Sequence, residues 1–92
     1  MTDPTNAITI RFAARAEKQA RKLPTKILRK LHKQLKLLQK DIDHPSLNFR
    51  KKANSDQYEG RIDFHYRFTG EFAAEYFYIT SIGMHDIGLG KK

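Results

Sequence analysis

Apolar and polar positions along this chain change period several times, and each change marks an element. Ile8, Ile10 and Phe12 alternate with Thr9 and Arg11, the two-residue period of a short strand. From Ala13 the spacing lengthens. Ala13, Ala16, Ala20 and Leu23 recur at helical intervals, while Arg15, Lys18, Arg21 and Lys22 fall elsewhere. Pro24 ends that helix and can open the next at its first turn. The second helix is the clearest element. Leu28, Leu31, Leu35 and Leu38 form an apolar stripe with Ile27 beside it, and Lys26, Arg29, Lys30, Lys33, Lys36 and Lys40 cover the rest. So short a joint predicts an antiparallel helical hairpin.

Asp41 to Pro45 closes the second helix and begins a loop, with His44 held extended or in a turn by Pro45. The basic run Arg50-Lys51-Lys52 falls in that loop. Tyr58 to Phe68 then reads as strand, turn, strand. Tyr58, Gly60 and Ile62 share one face, and Glu59 and Arg61 the other. Asp63 to His65 makes the turn, which Asp favours. Centring it on Phe64 pairs Ile62 with Tyr66 and Arg61 with Arg67. Gly70 interrupts the second of these strands and suggests a bulge or a close backbone approach. Ala73-Ala74 is a weak turn signal. Glu75 to Ile82 is apolar and aromatic on both faces, which predicts a central strand buried on both sides and ended by Gly83.

The order is strand, helix, helix, strand, strand, strand. It predicts a single α+β domain over residues 1–92, with a helical hairpin on one side of a mainly antiparallel sheet. The first strand is expected to pair with the last.

Charge sharpens this picture. The 92 residues carry a net charge of +8, but unevenly. Residues 1–52 hold 14 basic and 4 acidic side chains, residues 53–92 only 4 basic and 6 acidic. The first half therefore suits a polyanion or an acidic partner, unless the lysines only solubilise a helix surface. There is no cysteine, which is compatible with a reducing cytosol and leaves no disulfide or thiolate metal site. The histidines at 32, 44, 65 and 85 lack metal-ligand spacing. No metal and no cofactor is expected. No apolar run suits a membrane span, and no secretory core follows Met1.

Candidate chemistry centres on the paired arginines. Directly opposed cations repel and call for an anion. Either Glu59 supplies it from within or a phosphate from outside. Arg61 and Arg67 suit bidentate phosphate binding, the alternative being an ion pair with Glu59 or Asp63. His85 has the near-neutral titration of a general acid. Lys51 and Lys52 suit the backbone of a nucleic acid. Tyr76, Phe77 and Tyr78 are read as core rather than as base-stacking residues.

Several strings in this order resemble the RelE/ParE family of bacterial toxins from type II toxin–antitoxin systems. They are Arg21-Lys22-Leu23-Pro24, His44-Pro45-Ser46-Leu47, Tyr58-Glu59-Gly60-Arg61-Ile62, Tyr66-Arg67-Phe68 and Ile82-Gly83-Met84-His85-Asp86-Ile87. They span residues 8 to 89. The Gly83-x-His85 string is most similar to YafQ-like, HPSL-bearing members.

The resemblance implies a cytoplasmic toxin neutralised by a cognate antitoxin, touching DNA only through that complex and no membrane. For the nuclease branch it implies a metal-independent endoribonuclease cutting messenger RNA in the ribosomal A site. Carried over, catalytic roles fall on His85, Arg67 and Arg61, and nucleic-acid contacts on Arg50, Lys51 and Lys52; Glu59 is not carried over but is the general base that the residues themselves offer. The family's other branch implies a non-enzymatic gyrase inhibitor. A non-toxic member acting as a binding module is the third reading. The chain departs from the nuclease pattern in having no tyrosine after the last strand and Ala73-Ala74 in place of a polar turn.

Overall fold

The computed structural model describes residues 8–84. Strand β1 (Thr9–Phe12) leads into helices α1 (Ala14–Arg21) and α2 (Thr25–Lys40). A single 3₁₀ turn (Pro45–Leu47) follows, then β2 (Arg50–Lys51), β3 (Tyr58–Arg61), β4 (Tyr66–Ala73) and β5 (Tyr76–Met84). The fold is α+β. One five-stranded sheet runs in the order β1-β5-β4-β3-β2. The first strand does pair with the last, in parallel, and every other pairing is antiparallel.

The core lies on one face of this sheet. Phe68, Phe77, Ile79 and Ile82 meet Ala16, Ile27, Leu31, Leu35 and Leu38, all buried, and Leu47 plugs the same core from the 3₁₀ turn. The apolar stripe of α2 is the expected one, shifted slightly. Ile27 is buried and Leu28 only half-buried. Pro24 sits at the cap position of α2, and its carbonyl accepts the Leu28 amide at 2.9 Å. The two helices border a shared groove through Ala20 and Leu28.

Three glutamines fasten the helices to strand and loop backbone. Gln34 is buried on the stripe and its Nε2 donates to the carbonyls of Arg61 at 2.9 Å and Ser46 at 3.1 Å. Gln39 Nε2 donates to the Ile8 carbonyl at 2.7 Å. Gln19 Oε1 accepts the Ile82 amide at 2.7 Å. That last bond explains the position of α1. β1 pairs only with Tyr76–Ile79, so the strand partner of β5 runs out there. α1 continues along the same edge, and its Gln19 satisfies a backbone donor that would otherwise be unpaired.

Three expectations are corrected. First, β5 is not buried on both sides: Phe77, Ile79 and Ile82 point inward, while Tyr76, Tyr78 and Ser81 stay half-buried on the opposite face. Second, Gly83 does not end it, since the strand continues to Met84. Third, Arg50-Lys51 is not loop but a two-residue edge strand paired with Glu59 and Tyr58. Phe49, just before it, stacks on the Tyr58 ring at 5.2 Å and meets Phe77 edge-on at 5.4 Å. Those contacts supply the packing that so short a strand lacks.

Gly70 lies at the expected irregularity. Thr69 pairs with Ser81, but Gly70 pairs with Ile79, so Thr80 is an extra residue on β5. Its hydroxyl donates back to the Thr69 carbonyl at 3.2 Å. The bulge resets the inside–outside alternation of β5, which is why Ile79 and Ile82 are both buried although three residues apart. A β-carbon at Gly70 would overlap the Tyr78 carbonyl. At Gly60 it would overlap the ring of Phe68, the cross-strand partner. Both glycines are there for room, since neither has positive φ.

Candidate nucleic-acid interface and catalytic cluster

Among the described residues no helix covers the second face of the sheet. The register places the candidate residues there in rows. Arg61 is directly opposite Arg67, as the hairpin pattern predicts. Glu59 is flanked by Arg50 on β2 and Thr69 on β4, and Thr69 in turn by Ser81 on β5. Gly83 lies beside Arg67. A cleft of about 260 Å³ opens over these rows, lined by Glu59, Arg67, Thr69 and Ser81, with Arg15 and Gln19 from α1 along its far side.

The turn that aligns the two arginines is built by Asp63. Its Oδ1 accepts the amides of His65 at 2.9 Å and Tyr66 at 3.0 Å. Burial alone would raise the Asp63 carboxyl, but those two amides, Lys30 and His65 together hold its pKa below the usual value. Lys30 Nζ stands 3.7 Å from its other oxygen.

Arg67 has a different surrounding from the one expected. Its Nη1 donates to the carbonyls of Asp63 at 2.7 Å, Tyr66 at 3.1 Å and Phe64 at 3.4 Å. The repulsion between opposed arginines is therefore not left to Glu59 or a phosphate alone. The turn's carbonyls take part of the positive charge. The Arg67 pKa is nonetheless lowered, first by burial and then by Arg61, with a smaller push from Arg50, against the opposing pull of Glu59 and Asp63. A guanidinium so lowered is still charged at neutral pH. Arg61 Nε is buried with no hydrogen-bond partner among the described residues. The cluster thus has more cation than anion at a cleft in the sheet surface, which suits an incoming phosphate.

The basic run before the hairpin divides. Arg50 joins the row of Glu59 on the open face, whereas Lys51 pairs with Tyr58 on the apolar side. Lys52 begins the following loop, its amide donating to the Gln57 carbonyl at 2.7 Å. All three are exposed. His85 lies outside the described residues. His32 and His65 are exposed. His44 is structural: its Nδ1 accepts the Ser46 amide at 3.1 Å and caps the 3₁₀ turn. His44-Pro45-Ser46-Leu47 is therefore a capped turn that delivers Leu47 to the core.

Sequence reasoning missed Arg15, Thr69 and Ser81. Arg15 falls off the apolar stripe of its helix, which in one dimension looks the same as any solvated arginine. Tyr76 and Tyr78 were expected in the core and are on the open face instead. Phe77 alone of that run is fully buried. Among the described residues no helix is long and apolar enough to cross a membrane.

No family model matches the chain, and no curated protein sequence matches it. Solved structures do. The isolated RelE toxin of E. coli aligns with a TM-score of 0.71 at 20% sequence identity, over 91% of this chain and 90% of that one. The YoeB dimer from Staphylococcus aureus aligns at 0.69 with 18% identity, over 86% and 98%. The toxin in the intact E. coli RelBE toxin–antitoxin complex aligns at 0.69 with 22% identity, over 87% and 99%. These likenesses establish that the chain has the fold of RelE and YoeB.

Proposed function

We propose that this chain, which has the fold of the RelE and YoeB toxins, is itself the toxin of a type II toxin–antitoxin pair. We infer further that it is a metal-independent endoribonuclease cutting messenger RNA in the ribosomal A site. The observation that carries the reading is the cluster of Arg50, Arg61, Arg67 and Glu59 on a sheet face that no described helix covers. Opposed guanidiniums on a face that no described helix covers are suited to a phosphate ester.

In this reading Glu59 takes the proton of a ribose 2′-hydroxyl. The 2′-oxygen attacks the adjacent phosphorus, and the bond to the 5′-oxygen breaks. Arg61 and Arg67 offset the charge that grows on the phosphoryl oxygens. His85 gives its proton to the departing 5′-oxygen. The products are a 2′,3′-cyclic phosphate and a 5′-hydroxyl end. Arg50, Lys51 and Lys52 hold the flanking strand. The cytoplasm is the compartment this target implies.

The partner reading draws on the solved RelB–RelE antitoxin–toxin complex from Methanococcus jannaschii and the RelBE complex of E. coli, whose toxins share this fold. We assign this chain a cognate antitoxin with acidic residues, with operator DNA reached only through the pair. Opposite net charges would make their association fast and salt-sensitive.

The test is growth arrest on induction, with primer extension on a messenger RNA in a translation extract. Wild type should produce new ends within A-site codons. Arg67→Ala should lower the cleavage rate ~10²–10³-fold and His85→Ala ~10²–10⁴-fold. Arrest without new RNA ends would overturn the nuclease reading in favour of a gyrase-type inhibitor. Absence of both would point to a non-toxic binding module.

A further inference from the structure

The uncovered face carries a second group of side chains beyond the arginine cluster. We propose that Tyr78, flanked by Arg11 and Glu71, is a stacking site for one base of a single-stranded RNA whose backbone crosses Arg67. The proposal rests on the RNA reading above and adds a base subsite to it.

The register brings the three residues together. Tyr78 is the partner of Arg11 on β1 and of Glu71 on β4, so all three project from the same face in one row. Phe77, between the tyrosines, takes the core position and is fully buried. Tyr76 and Tyr78 are left half-buried on the open side, with ring centroids 5.7 Å apart. The Arg11 guanidinium lies 4.8 Å from the centre of the Tyr76 ring, so Tyr76 and Arg11 form a braced flank. Tyr78 is the next ring toward the arginine cluster.

The bulge makes this face continuous. In an unbulged strand Tyr78 and Ser81, three residues apart, would point to opposite sides. With the extra Thr80, the row of Tyr78 and the rows of Ser81 and Gly83 share one surface. Arg67 and Glu71 are on the unbroken strand β4, so the two subsites are ~13 Å apart at ~3.3 Å per residue. A stacked strand covers that distance in about four nucleotides, and a splayed one in fewer.

The chemistry selects a base rather than a phosphate. An aromatic face stacks any nucleobase. Glu71 is acceptor-only when ionised, which repels phosphate and accepts from the exocyclic amino groups of adenine, cytosine or guanine. Uracil offers a single imino N–H between two carbonyl oxygens that a carboxylate repels. The subsite should therefore prefer an amino-bearing base over uracil.

Fluorescence anisotropy with labelled hexaadenylate, hexauridylate and triadenylate tests the proposal on the full chain. Tyr78→Leu should weaken hexaadenylate binding ~5- to 100-fold, the loss of one base–aromatic stack. Tyr78→Phe should leave it unchanged. Triadenylate, which reaches from Arg67 to Tyr78 only when splayed, should be less sensitive to Tyr78→Leu than hexaadenylate. Glu71→Ala should reduce the preference for hexaadenylate over hexauridylate. On the wild-type chain, titration with hexaadenylate should shift the Tyr78 ring-proton resonances upfield, a readout that needs no variant. Hexaadenylate binding that survives Tyr78→Leu but not Arg67→Ala, with unshifted ring protons, would overturn the stacking site and leave the RNA reading standing. Failure of the wild type to bind any hexanucleotide at low salt would overturn both.

Discussion

Gly70→Ala should be among the most damaging single-methyl additions in this protein. The added β-carbon would overlap the Tyr78 backbone carbonyl and stand 2.8 Å from Phe77 Cζ. Neither obstacle can yield cheaply. The carbonyl belongs to β5, a strand paired on both edges there, and the Phe77 ring is fully buried. Either β4 and β5 separate at the bulge or the bulge moves. Overpacking of this kind costs ~1–3 kcal/mol, and each stretched ladder bond adds ~0.5–1.5 kcal/mol. We expect a loss of ~3 kcal/mol, a large part of a small domain's ~5–15 kcal/mol. With a urea slope of ~1–3 kcal/mol/M, the midpoint should fall by ~1–3 M. Gly83→Ala is the control. A β-carbon there meets nothing within 4 Å among the described residues, and alanine in a strand should be neutral or gain ~0.5–1 kcal/mol. Unfolding free energies for the two variants within ~0.5 kcal/mol of each other would refute the reasoning, because only the close approach at Gly70 separates them.

Leu35→Ala should cost ~2–5 kcal/mol by leaving a cavity between α2 and the sheet, while exposed Lys33→Ala should change stability by less than ~0.5 kcal/mol; chemical denaturation distinguishes them. Asp63 gives a pH signature. Its folded pKa lies below the usual 3.8, so its ionised form is favoured by folding, and that stability is present above the usual value and lost as pH falls through the lowered one. Urea midpoints taken from pH 6 down to pH 3 should fall more steeply for wild type than for Asp63→Asn, and parallel curves would remove the turn carboxylate from the account. Ala74 holds a left-handed backbone at φ 55°, a conformation that costs a residue with a β-carbon ~1–2 kcal/mol. Ala74→Gly should therefore raise the thermal midpoint, and an unchanged or lower Tm would show that the gain is cancelled by entropy in the unfolded chain.

Periodicity alone determined the helices, the hairpin and the pairing of Arg61 with Arg67. Each of these is set by neighbours within a few residues: the stripe from Ile27 to Leu38, Pro24 at the joint, Asp63 in the turn. The alternation through Tyr58, Gly60 and Ile62 likewise put the candidate residues Glu59 and Arg61 on one face. Gly70 signalled a bulge, but the tertiary structure decided where the extra residue went. It is Thr80, on the other strand, because the Tyr78 carbonyl and the Phe77 ring crowd Gly70. That choice re-phased β5 and turned Tyr76 and Tyr78 outward, against their apolar appearance. The pairing of Arg50 with Glu59 also lay beyond the sequence, because a two-residue strand leaves no alternation to read, and so did the approach of Arg15 to Arg67's cleft, which joins elements distant in the chain. So did the charge balance at Arg67. A pattern of residue types can oppose two arginines, but only folded backbone can aim three carbonyl oxygens at one of them.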